Sequence, residues 1–189
     1  SAHDQQPERK KGLPLKILNG ICKVYLTVIR GTPMMVQLLI MWFVVWASAR
    51  STDSNMMKCA ILAFGINSGA YVAEIVRSGI MSIDQGQTEA ARSLGLSQTM
   101  NLRYIILPQA LKNILPAIAN EFVVIIKESA ITYTIGVQDI MSAVNAVKGA
   151  TFIIIEPLLV ATAIYFCLCF PTSKLIAYFE RRMSHGDKR

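Results

Sequence analysis

Ionisable and amide side chains interrupt two otherwise apolar stretches of this 189-residue sequence. One group recurs at i, i+4, i+7 and i+11, the spacing of a single helix face: Asn67, Tyr71, Glu74 and Ser78. A second stretch carries acidic, basic and amide groups on two faces, with Asn120 and Lys127 on one and Glu121 and Glu128 on the other. An unpaired charge at the centre of a bilayer costs at least ~3 kcal/mol, so these groups are expected to face a bundle interior or a wet cavity. No nucleophile or metal cluster accompanies them, which favours recognition over catalysis.

Two roles stay open for these side chains, namely contact with a translocated solute and structural pairing between helices. Glu74 and Arg77 are three residues apart, so mutual pairing or gating near the cytoplasmic end is favoured for them. For Lys127 and Glu128 both roles stay open. Asn67 and Glu121 are assigned to the path itself, and Tyr71 shares the face of Asn67.

The composition favours a membrane protein. Hydrophobic residues make up 53% of the chain and charged residues 16%, whereas soluble domains carry about 25% charged residues. The net charge of +7 comes from basic residues that flank apolar runs, and no aromatic–basic surface or module typical of nucleic-acid binding is visible. The four cysteines lack metal-ligand spacing, and both histidines lie in polar tails, so no metal site is predicted.

The hydrophobic pattern predicts an all-α membrane protein, a single transmembrane domain over residues 1–189. Four spans are predicted, at Met34–Ala49, 59–80, 111–135 and 151–170, with Pro171 at the end of the last. Thr32 is predicted as the N-cap of the first span, with Pro33 at its first helical position. The mixed stretch 13–29 is read as a cytoplasmic helix or the tail of an earlier span.

The distribution of lysine and arginine predicts the orientation. With the N-terminus inside, the cytoplasm receives residues 1–30, 77–112 and 174–189, which together hold fifteen of the 19 basic residues. Both termini and the loop 81–110 are therefore predicted to be cytoplasmic.

That loop carries the most specific pattern in the sequence. Glu89-Ala90-Ala91 is followed by Gly95, and Ile105-Ile106-Leu107-Pro108 comes nine residues after the glycine. Asp84 is a candidate N-cap for a short helix, and Gly95 is suited to the left-handed conformation that ends one. Ser97 is the predicted cap of the next helical piece, which is expected to end near Leu107-Pro108.

The loop resembles the EAA-x3-G-x9-I-x-LP motif of permease subunits in ATP-binding-cassette (ABC) importers. The segment Arg30-Gly31-Thr32-Pro33 through Gln37 is similar to the "RGTP…Q" start of a membrane span in the polar-amino-acid branch (histidine, glutamine and arginine permeases). The stretch from Ala73 to Ile80 and Lys127-Glu128-Ser129 also resemble that branch, although Glu128 replaces its usual aspartate. Members usually have five spans, and this chain begins where the segment after the first would lie, so a bundle of about four is expected.

The resemblance implies a permease that moves a polar amino acid across a bacterial inner membrane. It implies that cytoplasmic ATPase subunits grip the EAA loop through Glu89, Ala90, Ala91, Gly95, Leu107 and Pro108. It also implies a second permease subunit, as a homo- or heterodimer, an external substrate-binding protein, and surrounding lipid. The chain lacks a G-x-x-x-x-G-K-[ST] phosphate loop, so ATP and Mg²⁺ are expected on the ATPase, with no cofactor and no enzymatic activity here. The rival interpretations are an ion-gradient-driven transporter or channel and a non-transporting scaffold.

Overall fold

The computed structural model describes residues 13–49 and 53–184, which are mostly helical and contain no strand. The helices are α1 Leu13–Arg30, α2 Met34–Ile40, α3 Asp53–Met81, α4 Gln85–Ser93, α5 Gln98–Asn101, α6 Leu107–Glu128, α7 Ile140–Thr151 and α8 Ile155–Ser184. π-Helical turns follow α2 at Met41–Val45 and α5 at Leu102–Ile106, and short 3₁₀ helices occupy Ala47–Ala49 and Ser129–Ile135. The all-α prediction is confirmed.

The most compact apolar core joins α2, α3 and the segment after α6. Met34, Leu38 and Trp42 recur at i, i+4 and i+8, which is one helix face, and all three are buried. They pack with a set from α3 and from the end of the 129–135 helix: Cys59, Ala60, Ala63, Ile135 and Val137. Small residues on α3 let the larger side chains of α2 approach closely, so α2 is held firmly against α3.

The central bundle is formed by α3, α6 and α8, with α6 packed against both of the others. Two helices are long and apolar enough to cross a membrane, Asn55–Met81 and Ile155–Arg182. A third candidate exists if Leu13–Arg30 and Met34–Val45, which meet at a bend of 109°, are counted as one broken span. The second predicted span is therefore confirmed as α3.

Three predicted boundaries were wrong. The first span is not one helix over Met34–Ala49, because the continuous part ends at Val45 and reaches only about 18 Å at 1.5 Å per residue. The third predicted span corresponds to α6 and the 3₁₀ helix Ser129–Ile135 that follows it. α6 carries four charged residues, which set it apart from the two apolar spans.

The fourth span begins at Ile155 and continues through Pro171 to Ser184, whereas residues 140–151 form the unpredicted α7. Proline is tolerated within such helices when side chains satisfy the backbone near it, and Thr172 Oγ1 donates to the Leu168 carbonyl at 2.8 Å. The predicted cytoplasmic segments 1–30 and 174–189 extend beyond the described residues, at 1–12 and 185–189.

Candidate functional site

The loop helix α4 is fixed at both ends by local hydrogen bonds. At its start the Asp84 carboxylate accepts from the Gly86 amide at 2.6 Å, so the predicted N-cap is confirmed. At its end Gly95 has φ +79°, the amide of Leu96 donates to the Ala91 carbonyl, and that of Gly95 donates to the Arg92 carbonyl. These two bonds form a Schellman motif, in which a left-handed glycine closes the helix. The sequence-based role of Gly95 as the stop is confirmed.

The motif alanines lie on different faces of α4. Ala91 is 1% exposed and faces the body of the protein, where α4 packs on α5 and on the Leu102–Ile106 turn. Glu89 and Ala90 are exposed on the other side of the helix. The small size of Ala91 therefore lets α4 pack closely on its own chain, while Ala90 leaves the backbone of the outer face exposed.

Leu107 and Pro108 lie inside a continuous helical rod. Ser97 caps α5 by accepting from the Met100 amide at 3.3 Å, as predicted. The predicted end near Leu107-Pro108 was wrong, because the backbone stays right-handed helical from α5 through the π-helical turn into α6. The wider turn precedes Pro108, which cannot donate and would crowd the carbonyl four residues back in a regular helix. Gln109 Nε2 donates to the Ile105 carbonyl at 2.9 Å, which adds a side-chain bond to the backbone of this turn.

A network of hydrogen bonds closes the C-terminal end of α1 at the bend. The last carbonyls of a helix have no partner within it, and in lipid water cannot supply one. Here Thr32 Oγ1 donates to the Val28 carbonyl at 2.8 Å, and Gln37 Nε2 donates to the Ile29 carbonyl at 2.7 Å. Thr32 was predicted to cap α2, but its hydroxyl serves the end of α1, where the free carbonyls lie.

Gln37 also ties this bend to the middle of α3. Its Oε1 accepts from Asn67 Nδ2 at 3.0 Å, and Asn67 is 5% exposed. A second tie is made by the Tyr25 hydroxyl, which donates to the Ile66 carbonyl at 2.5 Å. Asn67, predicted to line a path, is thus occupied by a helix–helix contact. We name residues 28–37 together with Asn67 the bend cap.

Below the bend cap, Glu74 lies between two arginines. Arg77 Nε donates to Glu74 Oε2 at 2.9 Å, with a second contact between Arg77 Nη2 and Oε1, and Arg30 Nη1 lies 3.4 Å from Oε2. The Arg30 guanidinium also lies 5.8 Å from the centre of the Tyr71 ring, within cation–π range. Asn67, Tyr71 and Glu74 therefore face the α1–α2 bend together, and the predicted Glu74–Arg77 pair is formed.

The predicted group on α6 stands apart from this cluster. Glu121 and Glu128 are half-buried and Lys127 is exposed. Within the ranges 13–49 and 53–184, no ion pair or side-chain hydrogen bond joins these three residues to each other or to the α3 cluster.

The sequence analysis did not single out three polar residues that the structure places in contacts or in the interior. Arg30 and Gln37 complete the polar cluster, and Gln37 carried a signal because it is the only strongly polar side chain between Met34 and Ala47. Asn101 is 4% exposed in α5, and its Oδ1 has no hydrogen-bond partner among the described residues. Nothing in the local sequence around Asn101 indicated that it would be buried.

Together, the apolar helices, the polar clusters between them and the separately capped α4 define a polytopic helical membrane protein with an exposed loop helix between α3 and α6. The chain matches the family "binding-protein-dependent transport system inner membrane component" over residues 12–185 and belongs to that family. It is therefore a permease component of an importer that works with a separate binding protein.

Named relatives and a solved structure agree with this assignment. The arginine transport system permease protein ArtQ of Bacillus subtilis (strain 168) is 37% identical over 188 residues, which cover 93% of this chain and 85% of ArtQ. The glutamine transport system permease protein GlnP of Escherichia coli (strain K12) is 33% identical over 167 residues, covering 88% and 76%. A crystal structure of an amino acid ABC transporter with histidines superposes with a TM-score of 0.78 at 43% identity, covering 89% of this chain and 77% of that one.

Proposed function

We propose that this chain is the permease subunit of an ATP-driven importer of a polar amino acid. The observation that carries the proposal is the docking loop, in which α4 is capped at both ends and presents Glu89 and Ala90 outward. The names of the relatives, which state arginine and glutamine, support the substrate class.

The proposed assembly places two permease subunits side by side, as a homo- or heterodimer, with two ATPase subunits on the cytoplasmic side. ATP and Mg²⁺ bind to the ATPase, and this chain contributes no cofactor and no hydrolysis. Both termini are cytoplasmic, in agreement with the positive-inside distribution. Closure of the ATPase pair moves α4, and the helices rock between outward-open and inward-open forms.

The polar side chains receive different roles in this proposal. The Arg30–Glu74–Arg77 cluster and Asn67 act as a structural joint or gate, since the three charged groups bind one another and Asn67 binds Gln37. The α6 group of Glu121, Lys127 and Glu128 is assigned to the translocation path, because its side chains form no pair within the part of the chain that the structure describes. An amino acid offers an ammonium and a carboxylate that complement these charges.

The decisive experiment is ATPase turnover in liposomes that contain this chain, its cognate ATPase and its binding protein, with amino acids added one at a time. Stimulation by one or a few polar amino acids is the expected result. An assembled complex whose turnover no amino acid alters would refute the substrate class and favour the scaffold interpretation. Uptake without the ATPase would favour a gradient-driven transporter.

A further inference from the structure

Helix α1 separates its residues into distinct faces. At about 100° of rotation per residue, its polar residues all fall within about 100° of one another and form a stripe along the helix: Lys16, Asn19, Gly20, Lys23, Thr27 and Arg30. No residue of α1 is fully buried. Leu26 and Ile29 are half-buried and mark the face toward the bundle, where α1 packs on α3.

The remaining face of α1 is apolar and exposed. Its side chains recur at i, i+4, i+8, i+11 and i+15, and each is between 53% and 72% exposed: Leu13, Ile17, Ile21, Val24 and Val28. We name these five residues the aliphatic row. A contiguous apolar surface of this kind marks contact with a membrane or with another protein, whereas single exposed apolar residues need no explanation.

The polar stripe supplies charge that favours a membrane surface over a protein. Arg30 lies 3.4 Å from the Glu74 carboxylate, whereas Lys16 and Lys23 are exposed and form no ion pair within residues 13–49 and 53–184. Lysine is depleted in protein–protein interfaces. A helix with aliphatic side chains on one side and lysines on another is typical of helices that lie at the boundary between acyl chains and headgroups.

The bend gives α1 the direction that such a position requires. Both α2 and the turn after it pack on α3, which is long and apolar enough to span a membrane. α1 meets this unit at 109°, close to a right angle, so it crosses the bundle instead of continuing it. The contact of Arg30 with Glu74 is seven residues, about 10 Å, from the end of α3 at Met81. Because α3 is about 43 Å long and the hydrocarbon core about 30 Å thick, this contact lies near one membrane surface.

We infer that α1 lies in the plane of the membrane surface and binds anionic phospholipids. The aliphatic row is inserted among the acyl chains, and Lys16 and Lys23 contact the lipid phosphates. The assignment to the cytoplasmic leaflet rests on the orientation given in the proposed function. In this position α1 connects the bend cap to the bilayer surface.

The first test measures the depth of α1 with spin labels on the full chain in vesicles of phosphatidylcholine and phosphatidylglycerol. The four native cysteines are replaced by alanine, and one position is labelled at a time. Labels at Ile17, Ile21, Val24 and Val28 should share one depth, about 5–10 Å into the boundary between headgroups and acyl chains. A depth that changes steadily by about 1.5 Å per residue would show that α1 crosses the membrane. Labels shielded from both oxygen and a water-soluble relaxation agent would show that protein covers the aliphatic row. Either result would overturn the inference.

The second test measures lipid preference with a fluorophore at Gly20, where a Cβ meets nothing within 4 Å. The quencher is a nitroxide on the acyl chain of either phosphatidylglycerol or phosphatidylcholine. Phosphatidylglycerol should be enriched about fivefold near the label, the effect of one lysine at an anionic surface. Lys16→Gln with Lys23→Gln should abolish this enrichment. The control pair Lys58→Gln with Lys148→Gln removes the same charge from two other exposed lysines and should preserve it. Equal loss in both pairs, or no enrichment in the unmodified chain, would overturn the lipid contact.

A failure of this inference is distinguishable from a failure of the proposed function, because neither readout involves the ATPase or transport. The orientation is read separately with a thiol reagent that does not cross membranes and a cysteine at Gly20. Labelling from the outer side alone would refute the proposed cytoplasmic orientation, whereas a uniform depth of the aliphatic row would still support the position of α1 in the membrane surface.

Discussion

Asn113 on α6 donates a hydrogen bond from Nδ2 to Ser82 Oγ, at 2.9 Å, at the end of α3. Ser82 Oγ in turn donates to the Gly79 carbonyl at 2.8 Å. The last turn of α3, which leads into the docking helix α4, is therefore fixed to α6 on the other side of the loop. A displacement of the docking loop acts on both helices together.

Gly79 is expected to be intolerant of any side chain. A Cβ at this position would overlap Ile114 Cγ1 and lie 3.1 Å from its Cδ1, so α3 and α6 would have to separate. Gly79→Ala should lower the free energy of unfolding by about 1–3 kcal/mol, measured by thermal denaturation in detergent. Gly65→Ala in the same helix, where nothing lies within 4 Å, is the control. Gly79→Ala should cost less stability in an Ile114→Ala background than in the unmodified protein, and strict additivity of the two changes would contradict this packing.

Gly95 is required because its backbone is left-handed, and not because a side chain would clash with a neighbour. Its φ is +79°, and nothing lies within 4 Å of the position that a Cβ would occupy, so a substitution suffers from backbone strain alone. That strain is about 1–2 kcal/mol for an ordinary residue and smaller for asparagine, which tolerates this region. Gly95→Val should therefore reduce amino-acid-stimulated ATPase activity and uptake, while Gly95→Asn should keep most of both. Equal coupling in the two variants would contradict the role of Gly95.

Gln37 is expected to carry more stability than an ordinary glutamine in a helix. Gln37→Leu leaves the Ile29 carbonyl and the Asn67 amide without their partners. Each unsatisfied buried group costs about 1–3 kcal/mol. We expect a lower melting temperature in detergent. Asn67→Leu combined with Gln37→Leu should cost less than the sum of the single changes, and a purely additive pair would show that the two side chains do not interact.

Glu74 is expected to matter more than either arginine that contacts it. Glu74→Ala leaves both Arg30 and Arg77 unpaired, whereas Arg77→Ala leaves the carboxylate paired with Arg30. Two guanidinium groups without a carboxylate between them repel each other, and each loses its ion-pair partner. The yield of folded protein and its melting temperature should fall most for Glu74→Ala, and Glu74→Gln should lie between Glu74→Ala and the unmodified protein. A greater loss for Arg77→Ala would contradict the central place of Glu74.

Patterns that depend on neighbouring residues could be predicted from the sequence, and contacts between distant segments could not. The caps of α4 and α5 follow from Asp84, Gly95 and Ser97, because these residues bond to the backbone beside them. The Glu74–Arg77 pair follows from helical spacing. The third member of that cluster, Arg30, is more than forty positions away, and only the bend brings it there.

Prolines explain two of the helix ends that were misjudged. Pro108 and Pro171 are usual signals for a helix end, yet both lie within helical stretches here. The backbone adapts to the first through a π-helical turn, and side chains bond to carbonyls near each of them. The burial of Ala91 and Asn101 depends on how α4 folds back on the next segment, which no local pattern reports.

The π-helical turn at Leu102–Ile106 sets the angular phase between the docking loop and α6. The rod from Gln98 to Glu128 is about 46 Å long at 1.5 Å per residue, and each residue in it contributes about 100° of rotation. Deleting a single residue within this turn would therefore rotate Glu121 and Glu128 by about a quarter of a revolution relative to α4. The length of this turn therefore fixes the direction in which Glu121 and Glu128 point relative to the exposed face of α4.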